Sequence, residues 1–136
     1  MDFEVVTPKG SKFKSNAVQV NAPGTLGSLG ILPGHRPLIT SLGIGLLSYV
    51  NEGTTGHLVI NGGYLEVADD KLVVITETAE TPDEIDVPRA EAALQRAEER
   101  IKDNQAKKGQ GLTFALEAKK RALARIEASK LKKTTV

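Results

Sequence analysis

From Phe3 to Glu77 the apolar positions fall in short, β-branched runs broken every few residues by Gly, Pro, Asn or Asp. This pattern predicts a compact antiparallel β domain of about ten short strands. The clearest strands are expected near Phe3-Val6, Lys12-Phe13, Ala17-Ala22, Leu46-Val50, Leu58-Asn61, Tyr64-Val67 and Leu72-Thr76, with shorter ones flanking the glycine-rich stretch 24–38. Asn51-Glu52-Gly53-Thr54-Thr55-Gly56 reads as a hairpin tip, and Asn61-Gly62-Gly63 and Ala68-Asp69-Asp70-Lys71 read as tight reversals. Hairpins this closely spaced favour a sandwich or barrel.

The period changes after Thr81-Pro82, where Ala, Glu, Lys and Arg take over. Asp86 is placed to cap a helix that tolerates Pro88 in its first turn, and Ala90, Leu94, Ala97 and Ile101 recur at helical spacing. Gly109-Gln110-Gly111 interrupts that helix. Ala115, Ala118, Ala122 and Ile126 form a second small-residue seam running to about Ser129. The chain therefore divides into a β domain over residues 1–82 and an antiparallel two-helix hairpin over 83–136. An alanine seam buries little apolar area, so the hairpin is either an ordinary surface element or one able to detach and extend.

Composition narrows the function classes. At 136 residues the chain holds one domain with a small appendage, and with no cysteine it has neither a disulfide nor a thiol nucleophile. A net charge of +1 argues for neither nucleic-acid nor membrane binding, although acidic excess lies early and basic excess late. No apolar run approaches the roughly 20 residues of a membrane span, and Met1-Asp2-Phe3-Glu4 begins a strand rather than a signal peptide; a soluble, unprocessed chain is expected. With only Phe3, Phe13, Tyr49, Tyr64 and Phe114 as aromatics, the core is expected to be mainly Val, Ile and Leu, without a base-stacking platform.

Catalytic chemistry is sparse. His35 and His57 lie in separate predicted loops without metal-ligand spacing. Gly24-Thr25-Leu26-Gly27-Ser28-Leu29-Gly30 lacks the lysine and following Ser/Thr of a phosphate-binding loop, and Asp69-Asp70 reads as a solvated turn. No metal or catalytic residue is assigned. One constellation has ligand chemistry: Glu80, Asp86, Arg89 and Arg96, with Arg121 and Arg125 four apart on the returning helix. An antiparallel hairpin can gather these guanidinium groups around a polyphosphate, whose oxygens suit their planar fork. Alternatively, Arg89 and Arg96 pair with Glu80, Asp86 or Glu99 on solvated faces.

Residues 24–38 hold four glycines and two prolines among aliphatics, a loop built for a particular shape. Its core Gly30-Ile31-Leu32-Pro33-Gly34-His35, followed by Pro37-Leu38, resembles the signature of epsilon subunits of F-type ATP synthases. Val5-Val6-Thr7-Pro8, Gly62-Gly63-Tyr64-Leu65-Glu66-Val67 and Ile85-Asp86-Val87-Pro88-Arg89-Ala90 resemble further pieces of that family in the same order. The resemblance implies a β-sandwich followed by a helical hairpin. It also implies a non-catalytic rotor subunit that couples c-ring rotation to ATP synthesis, held peripherally on the cytoplasmic face of the bacterial inner membrane through the complex alone. Its implied partners are the gamma subunit, the c-ring and the catalytic beta subunits with alpha. Docking on gamma and the c-ring falls to Leu26, Ser28, Leu29 and His35, with Ser28 standing where many members carry an acidic residue.

The family's hairpin can extend and inhibit ATP hydrolysis, and in some bacterial members the folded hairpin binds ATP. By that resemblance the ATP residues here are Glu80, Ile85, Asp86, Arg89, Ala90, Arg96, Arg121 and Arg125, with ATP a regulatory ligand rather than an obligatory cofactor. Two other readings remain: a free-standing ATP-sensing module, and a nucleic-acid binder using the basic second helix with Lys130 to Lys133.

Overall fold

The computed structural model describes residues 1–104, 109–131 and 134–135. β1 (Asp2–Thr7) and β2 (Gly10–Asn16) form one hairpin, and β3 (Gln19–Gly24) and β4 (Gly27–Ile31) a second. β5 (Leu38–Asn51) and β6 (Thr54–Ala68) form a third, much longer one around Glu52-Gly53. β7 (Lys71–Ile75) returns along β6 through Asp69 and Asp70, whose φ angles of 50° and 58° make the reversal tight. The short β8 (Ala79–Glu80) and β9 (Thr134–Thr135) also pair with β6. The strands run in the order β2-β1-β7-β6-β5-β3-β4, antiparallel except for β1 beside β7. Nine strands are present among the described residues, one fewer than the spacing suggested.

The difference lies at Asn61-Gly62-Gly63, which does not reverse the chain. The expected strands Leu58-Asn61 and Tyr64-Val67 are one 15-residue β6, in register with β5 on both sides: Ile44 faces Asn61 and Leu42 faces Gly63. Gly62 and Gly63 have φ angles of 73° and 106°, so they bend the strand instead of ending it. Beyond the bend, Tyr64 to Ala68 pair with β7; before it, Val59 and Ile60 pair with β8. The long β5–β6 hairpin thus belongs to both layers, and the sheet folds over itself as a sandwich. β4 similarly lies inside the glycine-rich stretch rather than beside it.

Phe3, Val5, Val20, Ile31, Leu47, Leu58, Ile60, Leu65, Val67, Leu72 and Val74 fill the space between the layers. The aliphatic core expected from composition is capped at one end by Phe3, Phe13 and Tyr49, with ring centroids 5.0 to 5.8 Å apart. Burial pushes the Tyr49 phenol above its ordinary range.

α1 (Val87–Asn104) starts where the Asp86 carboxylate accepts the Arg89 N–H at 3.1 Å, and α2 (Gln110–Ser129) follows Gly109. Lys107 and Lys108 of the expected connection, and Lys132 and Lys133, lie outside the described residues. α1 packs on α2, and α2 packs on β5 and β6. Ala90, Ala97, Ala115 and Ala122 are buried, as are Ala124 and Ala128; Ala118 and Ile126 are only half-buried. Helical spacing sets Ala124 and Ala128 opposite Ala115 and Ala122. They meet Val59, Leu46 and Ile85, a small apolar patch that holds the hairpin to the sandwich.

A Cβ on Gly63 would overlap the Ile75 carbonyl oxygen, whereas one on Gly53, with φ 75°, would meet nothing within 4 Å. Gly53→Ala should therefore cost only the left-handed backbone penalty of about 1–2 kcal/mol. Gly63→Ala should cost about 3 kcal/mol or more, because β6 must also move off β7. Equal denaturation midpoints for the two variants would show that the bend is not tightly packed.

Candidate functional site

The segment leading into α1 is fastened at nearly every residue. Glu80 lies on β8 opposite Val59. A single 3₁₀ turn over Pro82–Glu84 follows, in which Glu84 Oε1 accepts the Thr81 N–H at 3.2 Å and the Thr81 hydroxyl at 3.0 Å. Its other oxygen, Oε2, accepts a hydrogen bond from Lys12 Nζ of β2 at 2.7 Å. Ile85 packs into the apolar patch under α2, and Asp86 caps α1.

These constraints create a cleft of about 300 Å³ between the start of α1 and the end of α2. It is lined by Glu80, Asp86, Arg89, Ala90, Arg96 and Arg125, six residues that the sequence reading had put together. Glu84 and Ala93 also line it; the sequence reading missed both. The helical spacing of Ala93 from Ala90 and Arg96 could have pointed to it, whereas the role of Glu84 depends on contact with Lys12, far away in sequence. Two residues assigned to the site lie off the cleft wall. Ile85 turns its side chain into the apolar patch, and Arg121, half-buried one helical turn before Arg125, is not a lining residue.

Arg125 Nε donates to Glu80 Oε1 at 2.7 Å, with both side chains about one-third exposed or less. This bond orients the guanidinium and leaves its remaining N–H groups to point elsewhere. Arg89 and Arg96 are exposed and make no ion pair within 4 Å among the described residues, so the solvated pairing with Glu80, Asp86 or Glu99 does not form. Two unpaired guanidinium groups and one oriented by a carboxylate converge on one cleft. Such a set suits an anion with several oxygens.

The glycine-rich loop lies elsewhere on the sandwich. Leu26 is wholly exposed at the β3–β4 tip and Ser28 is exposed beside it, while Leu29 is half-buried against the core and Ile31 fully buried. Leu32 is also exposed, so Leu29 and Ile31 anchor the loop while Leu26 and Leu32 project from it. His35 closes a turn by donating its N–H to the Leu32 carbonyl at 3.2 Å, and its Nδ1 lies 2.6 Å from the Arg36 carbonyl oxygen. The Gly34 N–H donates to Asp70 Oδ1 at 3.1 Å. Asp70 thus has a role that its own turn did not advertise: it ties the signature loop to the β6–β7 reversal.

Residues 1–82 match the family described as the β-sandwich domain of the ATP synthase delta/epsilon chain, and residues 83–130 match its long α-helix domain. The chain is 49% identical to the ATP synthase epsilon chain of Geotalea daltonii over 102 residues, 75% of this chain and 74% of that one. It is 50% identical to the ATP synthase epsilon chain of Pelotomaculum thermopropionicum over 99 residues, 73% of this chain and 74% of that one. A chain from the OSCP/F1/c-ring structure of the Euglena gracilis mitochondrial ATP synthase superposes with a TM-score of 0.79 at 22% identity, covering 95% of this chain and 80% of that chain. One from the central stalk and c-ring structure of the Tetrahymena thermophila enzyme gives 0.60 at 16%, covering 95% and 96%. At those identities the structural likeness speaks for the fold.

The bond from Lys12, reinforced by those from Thr81, holds the Glu84 carboxyl below the usual glutamate range. A depressed folded-state value contributes stability above the unfolded value and loses it as pH falls through the folded one. Because the pair is partly exposed, the contribution is at most about 1 kcal/mol. Between about pH 5 and pH 3 the wild type should therefore lose up to that much more stability than Glu84→Gln. Parallel urea-denaturation profiles for the two proteins across this range would refute the linkage.

Proposed function

The chain belongs to the delta/epsilon chain family of ATP synthases, and from that membership we propose that it serves as the non-catalytic epsilon subunit of an F-type enzyme's central stalk. In this role the sandwich docks on the gamma subunit and the c-ring and turns with them, coupling ring rotation to ATP synthesis. The exposed Leu26 and Ser28 at the β3–β4 tip, and the turn that holds His35, offer projecting surface on a rigid support. Apolar contact through Leu26 and Leu32 can stand in for the acidic residue that Ser28 replaces. Attachment at the cytoplasmic face runs through the complex; among the described residues no helix is long and apolar enough to cross a membrane.

The hairpin supplies regulation. In its extended form it reaches alongside gamma toward the catalytic beta and alpha subunits and inhibits ATP hydrolysis; in its folded form it binds ATP. The observation that carries this reading is the convergence of Arg89, Arg96 and Arg125 with Glu80 and Asp86 in one cleft, which exists only while α1 and α2 lie together. A ligand that binds there and not to the extended form shifts the population toward the folded state by its differential affinity. The weak alanine patch under α2 keeps the two states close in energy, since each buried methyl contributes only about 0.8 kcal/mol.

Removing residues 83–136 should leave the sandwich bound to gamma while ATP hydrolysis by the assembled enzyme rises. An unchanged hydrolysis rate would refute the inhibitory role, and tight ATP binding without affinity for gamma would favour the free-standing sensor. By calorimetry, Arg89→Ala and Arg125→Ala should each weaken ATP binding to the full chain by about tenfold or more, the scale of a lost charged hydrogen bond. Arg121→Ala should weaken it less. The reverse order would move the site away from the cleft described above.

A further inference from the structure

Beside the hairpin cleft, across Arg89 and Arg125, lies a second space of about 640 Å³, which the sandwich lines with Lys9 and Lys12 of the β1–β2 hairpin and with Glu77 and Thr78. Glu80, Arg89 and Arg125 border both spaces. At about 300 Å³ the first space lies at the lower limit for small-molecule sites, so a nucleotide seated there extends its phosphate chain into the second.

Charge is distributed unevenly along this path. In the first space the carboxylates of Glu80, Glu84 and Asp86 match Arg89, Arg96 and Arg125 in number, leaving it formally neutral. The second space sets Lys9, Lys12, Arg89 and Arg125 against Glu77 and Glu80, so positive charge is in excess there. Lys9 makes no ion pair within 4 Å among the described residues. Lys12 donates one of its three N–H bonds to Glu84 and keeps two for another acceptor.

We propose that Lys9 and Lys12 are further binding residues for the terminal phosphates of a nucleoside di- or triphosphate whose nearer phosphates are held by the arginines of the hairpin cleft. The inference rests on the nucleotide reading of that cleft. Long, flexible ammonium side chains suit a mobile phosphate tail, whereas the oriented guanidinium groups suit the part held nearer the helices. The ligand then touches both structural units. It bridges β1–β2 to α1 and α2, which is the physical reason it favours the docked hairpin over the extended one. Glu84 competes with the phosphates for Lys12 and moderates their affinity.

Calorimetry of the full chain with ATP and with AMP tests this assignment. The Lys9→Ala/Lys12→Ala double variant should bind ATP at least about tenfold more weakly while its AMP affinity stays within about twofold of wild type. Glu84→Gln should tighten ATP binding, and that gain should vanish when Lys12→Ala is added. ATP affinity unchanged in the double variant, or ATP and AMP weakened alike, would overturn the lysine assignment and leave the nucleotide cleft standing. A wild-type chain that binds no ATP at all would overturn both.

Discussion

The pairing of β5 with β6 through the bend at Gly62-Gly63 is the constraint on which the other contacts rest. A strand that passes from one layer to the other without losing register can bond β7 on one part of its length and β8 on another. Only glycine fits at Gly63, because the Ile75 carbonyl occupies the space a side chain would take. β8 then has a partner at Val59 and Ile60, and with it Glu80 acquires a fixed position. From Glu80 the order propagates: the 3₁₀ turn is closed by Thr81 and Glu84, Ile85 is half-buried against the apolar patch, and Asp86 starts the helix that carries Arg89 and Arg96. The entry to the cleft is thus positioned on the sandwich first through β8, paired along one bent strand.

Against that firm base, the hairpin is held lightly. Ala124 and Ala128 meet Val59, Leu46 and Ile85, while the Glu80–Arg125 bond crosses from β8 to α2 and the Lys12–Glu84 bond ties β2 to the turn before α1. Alanine lets helix and sheet approach closely but removes little apolar surface from water. Partly exposed ion pairs add little more. The core of the sandwich, aliphatic side chains with the Phe3-Phe13-Tyr49 group, includes no helical residue.

Several features of the site were legible in the residues themselves. Asp86 before Pro88 and a helical run states a capped helix start, since the carboxylate reaches the N–H three residues on. Asp69-Asp70 between two apolar runs states a turn, because such residues tolerate positive φ. Glu80, Asp86, Arg89, Arg96 and Arg125 line one cleft, as the hairpin spacing predicts, and Ala90, which the family resemblance implies, lines it too. Glu84 and Ala93 escaped notice, and so did Lys9 and Lys12 on β1–β2, because nothing local distinguishes a surface lysine or glutamate from one facing a cleft. Arg121 was grouped with Arg125 on helical spacing, yet spacing alone does not say where a shared face ends.

The class of each segment and the family follow from local patterning: period-two runs with turn residues make strands, period-3.6 runs with a cap make helices, and the ordered motifs around Gly30 to His35 and Ile85 to Ala90 identify their kin. Those properties are written in neighbours a few residues apart. Long-range packing, by contrast, sets the bend of β6 at Gly62-Gly63, the tie of Asp70 to the Gly34 turn, and the meeting of Lys12 with Glu84 across 72 positions of chain. A glycine pair permits a reversal and a bend equally, and which one forms depends on whether β5 and β7 lie alongside to accept the freed backbone hydrogen bonds.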